Sequence, residues 1–157
     1  MNKTLGLFIG CFILPVIMAI TVLKLDFKPS STTNNGRFLK QDIWLPVIPE
    51  GKVWSIVLNA PKGCLTACDV QKSNVENLDV ALGKHRNKVA IVLVGEGEQP
   101  VDQTIQEKLV PAAFYLVDKH GLVILEYPYE SDPEANRLVL KGLLKDMKKL
   151  LNYARSQ

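Results

Sequence analysis

Two apolar runs on either side of an amphipathic helix leave this chain few folds to adopt. "VWSIVLNA", residues 53–60, and "KVAIVLVG", residues 88–95, are apolar with hardly a break. Continuous runs of that length read as strands covered on both faces, as in the middle of an α/β sheet. Between them Val75, Leu78 and Leu82 fall at i, i+3 and i+7, which predicts a helix from about 65 to 83, closed by Gly83. Strand, helix and strand in that order make a βαβ unit.

The remainder completes a sheet. "AAFYLVD", 112–118, passes through the tight turn "KHG" into "LVILEYP", which predicts a β-hairpin. A closing helix follows, with Asp132 at its cap, Pro133 at its first position and Glu134 in its first turn. Leu140, Leu144, Met147 and Leu151 should line its buried face, with Lys148 and Lys149 near its end. "RFLKQDIWLPVIPEGK", broken by Pro46 and Pro49, reads as an irregular edge strand, and "EGEQPVDQTIQEKL" as a short surface helix. The resulting order is β, helix, β, short helix, β-hairpin, helix. It describes a thioredoxin-like α/β sandwich with a mixed β-sheet.

Ahead of it, Leu5 to Leu23 is uncharged and apolar throughout. A bilayer core needs about 20 such residues and a signal-peptide core about 7–15, so the expectation is one uncleaved N-terminal transmembrane helix. The alternative is a cleaved signal peptide, although no small-x-small cleavage site follows the run. Pro15 would be a tolerated kink and Cys11 an apolar filler. Lys3 on one side and Lys24 and Lys28 on the other give the positive-inside rule little to act on. A short leading tail favours the cytosol, which puts the domain outside. In a bacterium that is the periplasm, where disulfides persist. The expected organisation is a membrane anchor over 1–25, a polar tether over 26–42 and a thioredoxin-like domain over 43–157. The length of 157 residues agrees, since a domain takes roughly 100–150. The net charge of +3 is spread out apart from the lysine-rich C-terminus, so nucleic acid is not an expected partner.

Cys64 and Cys68 lie where the first central strand gives way to the first helix of the domain. They could be a redox pair, metal ligands or a structural staple. A helix N-terminus carries partial positive charge and unpaired N–H groups that favour a thiolate. Cys64, beside Lys62 and Gly63, is therefore expected to be the nucleophile, and Cys68 the resolving or co-ligating sulfur. Side chains four apart on a helix lie about 5–6 Å apart at Cβ, against roughly 3.5–4.5 Å in a disulfide. Closing the bond should therefore pull Leu65–Ala67 away from ideal helix. Two thiolates suit soft Cu(I). The two histidines, His85 and His120, should both lie at the far end of the sheet, beyond reach of the sulfurs. Pro111, just before the third strand, stands where thioredoxin-like proteins place a cis-proline against their cysteines; alternatively it only starts the strand. Trp54 and Tyr115 read as core or edge aromatics. Peroxiredoxin chemistry is not expected, because "PKGCLTAC" lacks the required hydroxyl residue, nor is protease chemistry, because no histidine reaches the nucleophile.

"GKVWSIVLNAPKGCLTAC" resembles the strand-to-site segment of Sco/SenC proteins, and "FYLVDKHGLVILEYPYESDP" with "LLKDMKKLL" is similar to their hairpin and closing helix. The likeness covers most of 51–151 in pieces. An "N-x-G" tether, the C-x-x-x-C pair and "ALGKHRNKV" also resemble a smaller proteobacterial set associated with oxidase assembly genes. The resemblance implies a membrane-tethered assembly factor of cytochrome c oxidase that handles Cu(I) or exchanges disulfides through Cys64 and Cys68. Its partner would be a copper-binding oxidase subunit or another assembly factor. Two features depart from the family. "GCLTACD" has no prolines, and the family's copper-ligating histidine falls at Val110 or Pro111, so only the cysteines carry over. A general thiol–disulfide oxidoreductase and a binding module with a structural disulfide remain open as alternatives.

Overall fold

The computed structural model describes residues 3–24, 33–46, 49, 51–95 and 99–153. It comprises two compact units, Met1–Thr33 and Asn34–Gln157.

In the first unit a single helix, α1, runs Lys3–Lys24 through Pro15. Among the described residues no helix is long and apolar enough to cross a membrane, so the expected transmembrane span finds no support here. Of the expected tether over 26–42, residues 26–32 lie outside the described residues.

The second unit is a mixed α/β domain. Its strands are β1 (Arg37–Phe38), β2 (Trp54–Ala60), β3 (Val89–Gly95), β4 (Phe114–Asp118) and β5 (Val123–Tyr127). They form one sheet in the order β1-β5-β4-β2-β3. β2 and β3 are parallel, from Trp54 opposite Val89 to Ala60 opposite Gly95, and the other pairs are antiparallel. The helices are α2 (Leu65–Leu82), the short α3 (Gln103–Gln106) and α4 (Pro133–Tyr153). The expected βαβ unit, hairpin and closing helix are all present.

Alternation along the strands sorts the core onto the sheet's two faces. Ile56, Leu58, Phe114 and Leu116 pack with Leu78 and Leu82 of α2 and Leu143, Met147 and Leu151 of α4. Val57, Tyr115 and Val117 turn to the opposite face, against Ile43, Leu45, Val92 and Leu109. The buried face of α4 is rotated from the expected one. Leu143 is fully buried, whereas Leu140 and Leu144 are only partly covered. Asp132 does cap this helix, its Oδ2 accepting the Ala135 amide at 2.8 Å. Asp132→Ala is expected to lower stability by about 1 kcal/mol, read as a shifted urea midpoint.

A buried carboxylate lies on this face. Asp146, 2% exposed, turns inward on α4. Its Oδ2 accepts from the Asn35 amide at 2.6 Å, the Gly36 amide at 3.1 Å and the Tyr127 hydroxyl at 2.9 Å, and its Oδ1 from Asn35 Nδ2 at 2.8 Å. Residues from Asn34 onward therefore belong to the domain, which begins earlier than the expected boundary at 43. Gly36 passes so close to Tyr127 that a Cβ there would lie 2.5 Å from Cζ. Gly36→Ala should cost about 1–3 kcal/mol in urea unfolding, because neither the backbone nor the buried ring can give way freely.

The phenols of Tyr115 and Tyr127 are both held well above the ordinary value of 10.0, chiefly by burial and, at Tyr127, also by the Asp146 carboxylate. A raised phenol in the folded state contributes stability that is complete below the unfolded value and fades as pH climbs past it. Absorbance near 295 nm should therefore show both rings ionising together with alkaline unfolding, above pH 10 and not at it.

Candidate functional site: a disulfide at the head of α2

β2 ends at Ala60, and the chain turns through Pro61, Lys62 and Gly63 into α2. The turn closes with the Cys64 amide donating to the Pro61 carbonyl at 3.2 Å. Gly63, with φ of 80°, takes the left-handed position that such a turn requires. The turn delivers Cys64 to the N-cap of α2, with φ −77° and ψ 21°, and Cys68 to the first turn.

Cys64 and Cys68 are joined in a disulfide with Cα atoms 5.5 Å apart. The expected distortion of Leu65–Ala67 is absent. Those residues are helical, and the Cys68 amide donates to the Cys64 carbonyl at 3.0 Å. The adjustment falls on Cys64 instead, which as the cap lies outside the helix and is free to turn its Cβ toward its partner.

The two sulfurs differ in access. Cys64 is partly exposed and Cys68 is 5% exposed. They share a shallow cavity of about 180 Å³ with Pro61, Gly63, Leu65, Asp69 and Lys72. A larger hollow of about 450 Å³, between Lys62 and Glu107, adjoins it across Pro61, and one of about 420 Å³ lies beside β1. The site suits one protruding side chain better than an enclosed small molecule. The first turn of α2 carries no acidic residue, and its cap makes no side-chain hydrogen bond. A thiolate at Cys64 would therefore meet the helix's positive end, with Asp69 and Lys72 both bordering the same hollow. Lys62 is exposed on the entering turn.

Pro111 is not a cis-proline: no cis peptide occurs among the described residues, and Pro111 itself is exposed. The special backbone belongs to its neighbour. Ala112, 1% exposed, has a φ of 58° and packs with Ala60 and Cys68. This turn delays β4 to Phe114, two residues later than expected.

The histidines lie where expected. His120 follows Asp118, which pairs with Trp54 at the opposite end of β2 from the cysteines. His85 follows the 18 residues of α2, about 27 Å along its axis. No group of three or more His, Cys, Asp or Glu that could hold a metal occurs among the described residues. Tyr115 is fully buried, its hydroxyl accepting the Val110 amide at 2.7 Å, and Trp54 packs partly buried on the helical face.

Sequence reasoning missed a carboxamide network beneath the disulfide. Asn59 is fully buried at the end of β2. Its Nδ2 donates to the Val110 carbonyl at 3.0 Å, and its Oδ1 accepts from Gln106 Nε2. Its main-chain oxygen accepts the Ala112 amide at 2.9 Å and lies 3.7 Å from Cys68 Sγ. Once the bond opens, the Cys68 thiol has an acceptor there. Gln71, also fully buried, donates to the Ala112 carbonyl at 3.2 Å. Asn136 of α4 donates in turn to Gln71 Oε1 at 3.2 Å. The available signals were a lone amide in an apolar strand and a glutamine on the apolar stripe that joins Cys68 to Val75. Compared with known protein families and curated proteins, the chain matches none.

Proposed function

We propose that this chain is a membrane-attached, thioredoxin-like exchange protein that reduces a partner disulfide through Cys64 and Cys68. The observation that supports it most is the unequal pair at the helix head, with one sulfur reachable and one covered. The strand order, with parallel β2 and β3 followed by an antiparallel hairpin and a closing helix, supports the thioredoxin-like reading. In the reduced chain, the Cys64 thiolate attacks a partner disulfide. A Cys64–partner bond forms as the partner's bond breaks, and the released sulfur takes the electron pair and a proton from solvent. Cys68, having given its proton to solvent, then attacks Cys64. The partner's remaining sulfur leaves and is protonated. The partner has gained two electrons and the chain is again a disulfide.

The partner class comes from the Sco/SenC resemblance: the copper-binding domain of a cytochrome c oxidase subunit, or another assembly factor. Cu(I) enters this reading as cargo. Two thiolates from Cys64 and Cys68 suit its two-coordinate chemistry, and the distant histidines leave them without an imidazole ligand. Attachment to a bacterial inner membrane, with the domain in the periplasm, rests on the apolar sequence 5–23 and on exposed Phe12, Leu14, Val16, Ile17 and Met18 of α1.

The test mixes the reduced full chain, in detergent, with an oxidised copper-site domain and follows both disulfides by mass spectrometry. Transfer that disappears in Cys64→Ser is the expected result. No transfer, with the partner still oxidised, would favour the second reading, a structural disulfide in a binding module. The burial of Cys68 is the observation on that side.

A further inference from the structure

Cys64 and Cys68 differ in access because something holds the cover over Cys68. Resting on the exchange reading above, we infer that Gln71, acting through the left-handed residue Ala112, seals Cys68 and leaves Cys64 as the one sulfur an outside reagent or partner reaches.

Ala112 shares one buried cluster with Cys68 and Ala60, and Cys64, Ala67 and Tyr129 pack against it. Its φ of 58° is in the left-handed region, unfavourable for any residue with a Cβ. Such a conformation persists when its surroundings over-determine it. Here both main-chain groups of Ala112 are tied: the amide to the Asn59 carbonyl at 2.9 Å and the carbonyl to Gln71 Nε2 at 3.2 Å.

Gln71 cannot swing away, because Asn136 Nδ2 and Asn74 Nδ2 both donate to its Oε1, at 3.2 and 3.1 Å. It also stands three residues beyond Cys68, one turn along the same helix face. The carboxamide thus fixes the Ala112 turn, and the Ala112 methyl completes the wall over the sulfur. Gln71 is a positioning residue in this account, acting on the sulfur through the Ala112 carbonyl.

The consequence is order in the exchange. A partner meets Cys64 first, and the mixed disulfide forms only there. Cys68 then resolves it from inside, shielded from a second outside thiol. Glycine at 112 would accept the same backbone without strain while removing the methyl.

The experiment uses the full chain in detergent, reduced with a phosphine and briefly exposed to iodoacetamide. Peptide mass spectrometry then gives the labelling ratio of Cys64 to Cys68. In the wild type Cys64 should be labelled about tenfold or more faster. Ala112→Gly should raise Cys68 labelling several-fold, leave Cys64 labelling unchanged and melt no lower than the wild type. Gln71→Ala should do the same to the ratio; if it fails to fold, Ala112→Gly decides alone. Equal labelling in the wild type, or an unchanged ratio in Ala112→Gly, would overturn the inference. Selective labelling without transfer to the oxidised copper-site domain would instead defeat the exchange reading and leave the seal standing.

Discussion

Cys68→Ser is expected to turn a protein that releases its partner into one that remains joined to it. Cys64 in this variant still occupies the cap of α2 and still attacks, because nothing at the helix head has changed. The serine hydroxyl cannot displace a sulfur, so the Cys64–partner bond persists. Intact mass under non-reducing conditions should show a stable adduct with the copper-site domain, and turnover should fall to background. Cys64→Ser should give no adduct, because the sulfur it leaves at Cys68 is covered. Both variants should fold. The disulfide spans only four positions, and closing so short a loop stabilises a chain by about 2 kcal/mol in the loop-entropy account. Global unfolding of either variant would mean that the bond is a staple.

Asp146→Ala should produce the largest loss of stability in the domain, about 3–5 kcal/mol. The carboxylate accepts four hydrogen bonds, from two main-chain amides, one carboxamide and one phenol. Removing it strands donors in a space closed by Tyr127, which is 1% exposed. A buried donor left unsatisfied costs about 1–3 kcal/mol, and bonds to a charged acceptor are the stronger kind. Water reaching the exposed Asn35 offsets some of the total. Asp146→Asn keeps one acceptor oxygen and should lose about half as much. Urea unfolding measures both. Exchange per folded molecule should be unchanged, since Asp146 touches neither sulfur nor the Gln71 network.

The fold was legible where hydrophobic period and punctuation agreed. The continuous runs ending at Ala60 and Gly95, the stop at Gly83 and the cap at Asp132 each stand in the structure within a residue or two of expectation. The face of α4 was not legible, because Asp146 looks like a solvent residue until Asn35, Gly36 and Tyr127 arrive from distant parts of the chain. The start of the domain was misplaced for the same reason: "TNNG" reads as a polar tether, although Asn35 and Gly36 bind a buried carboxylate. At the site, the spacing of Cys64 and Cys68 and the distance of both histidines could be worked out from element lengths alone. Ala112 could not be anticipated, because nothing marks an alanine for the left-handed region. Its conformation follows from Asn59 and Gln71, which lie 53 and 41 residues earlier. Pro111 drew attention that belonged to its neighbour.

The most direct test is an equilibrium titration of the full chain against a dithiol buffer, with the Cys64–Cys68 state read by alkylation and mass. An exchanging pair should reach half reduction near about −200 mV, and a bond that stays closed below about −300 mV would contradict the account.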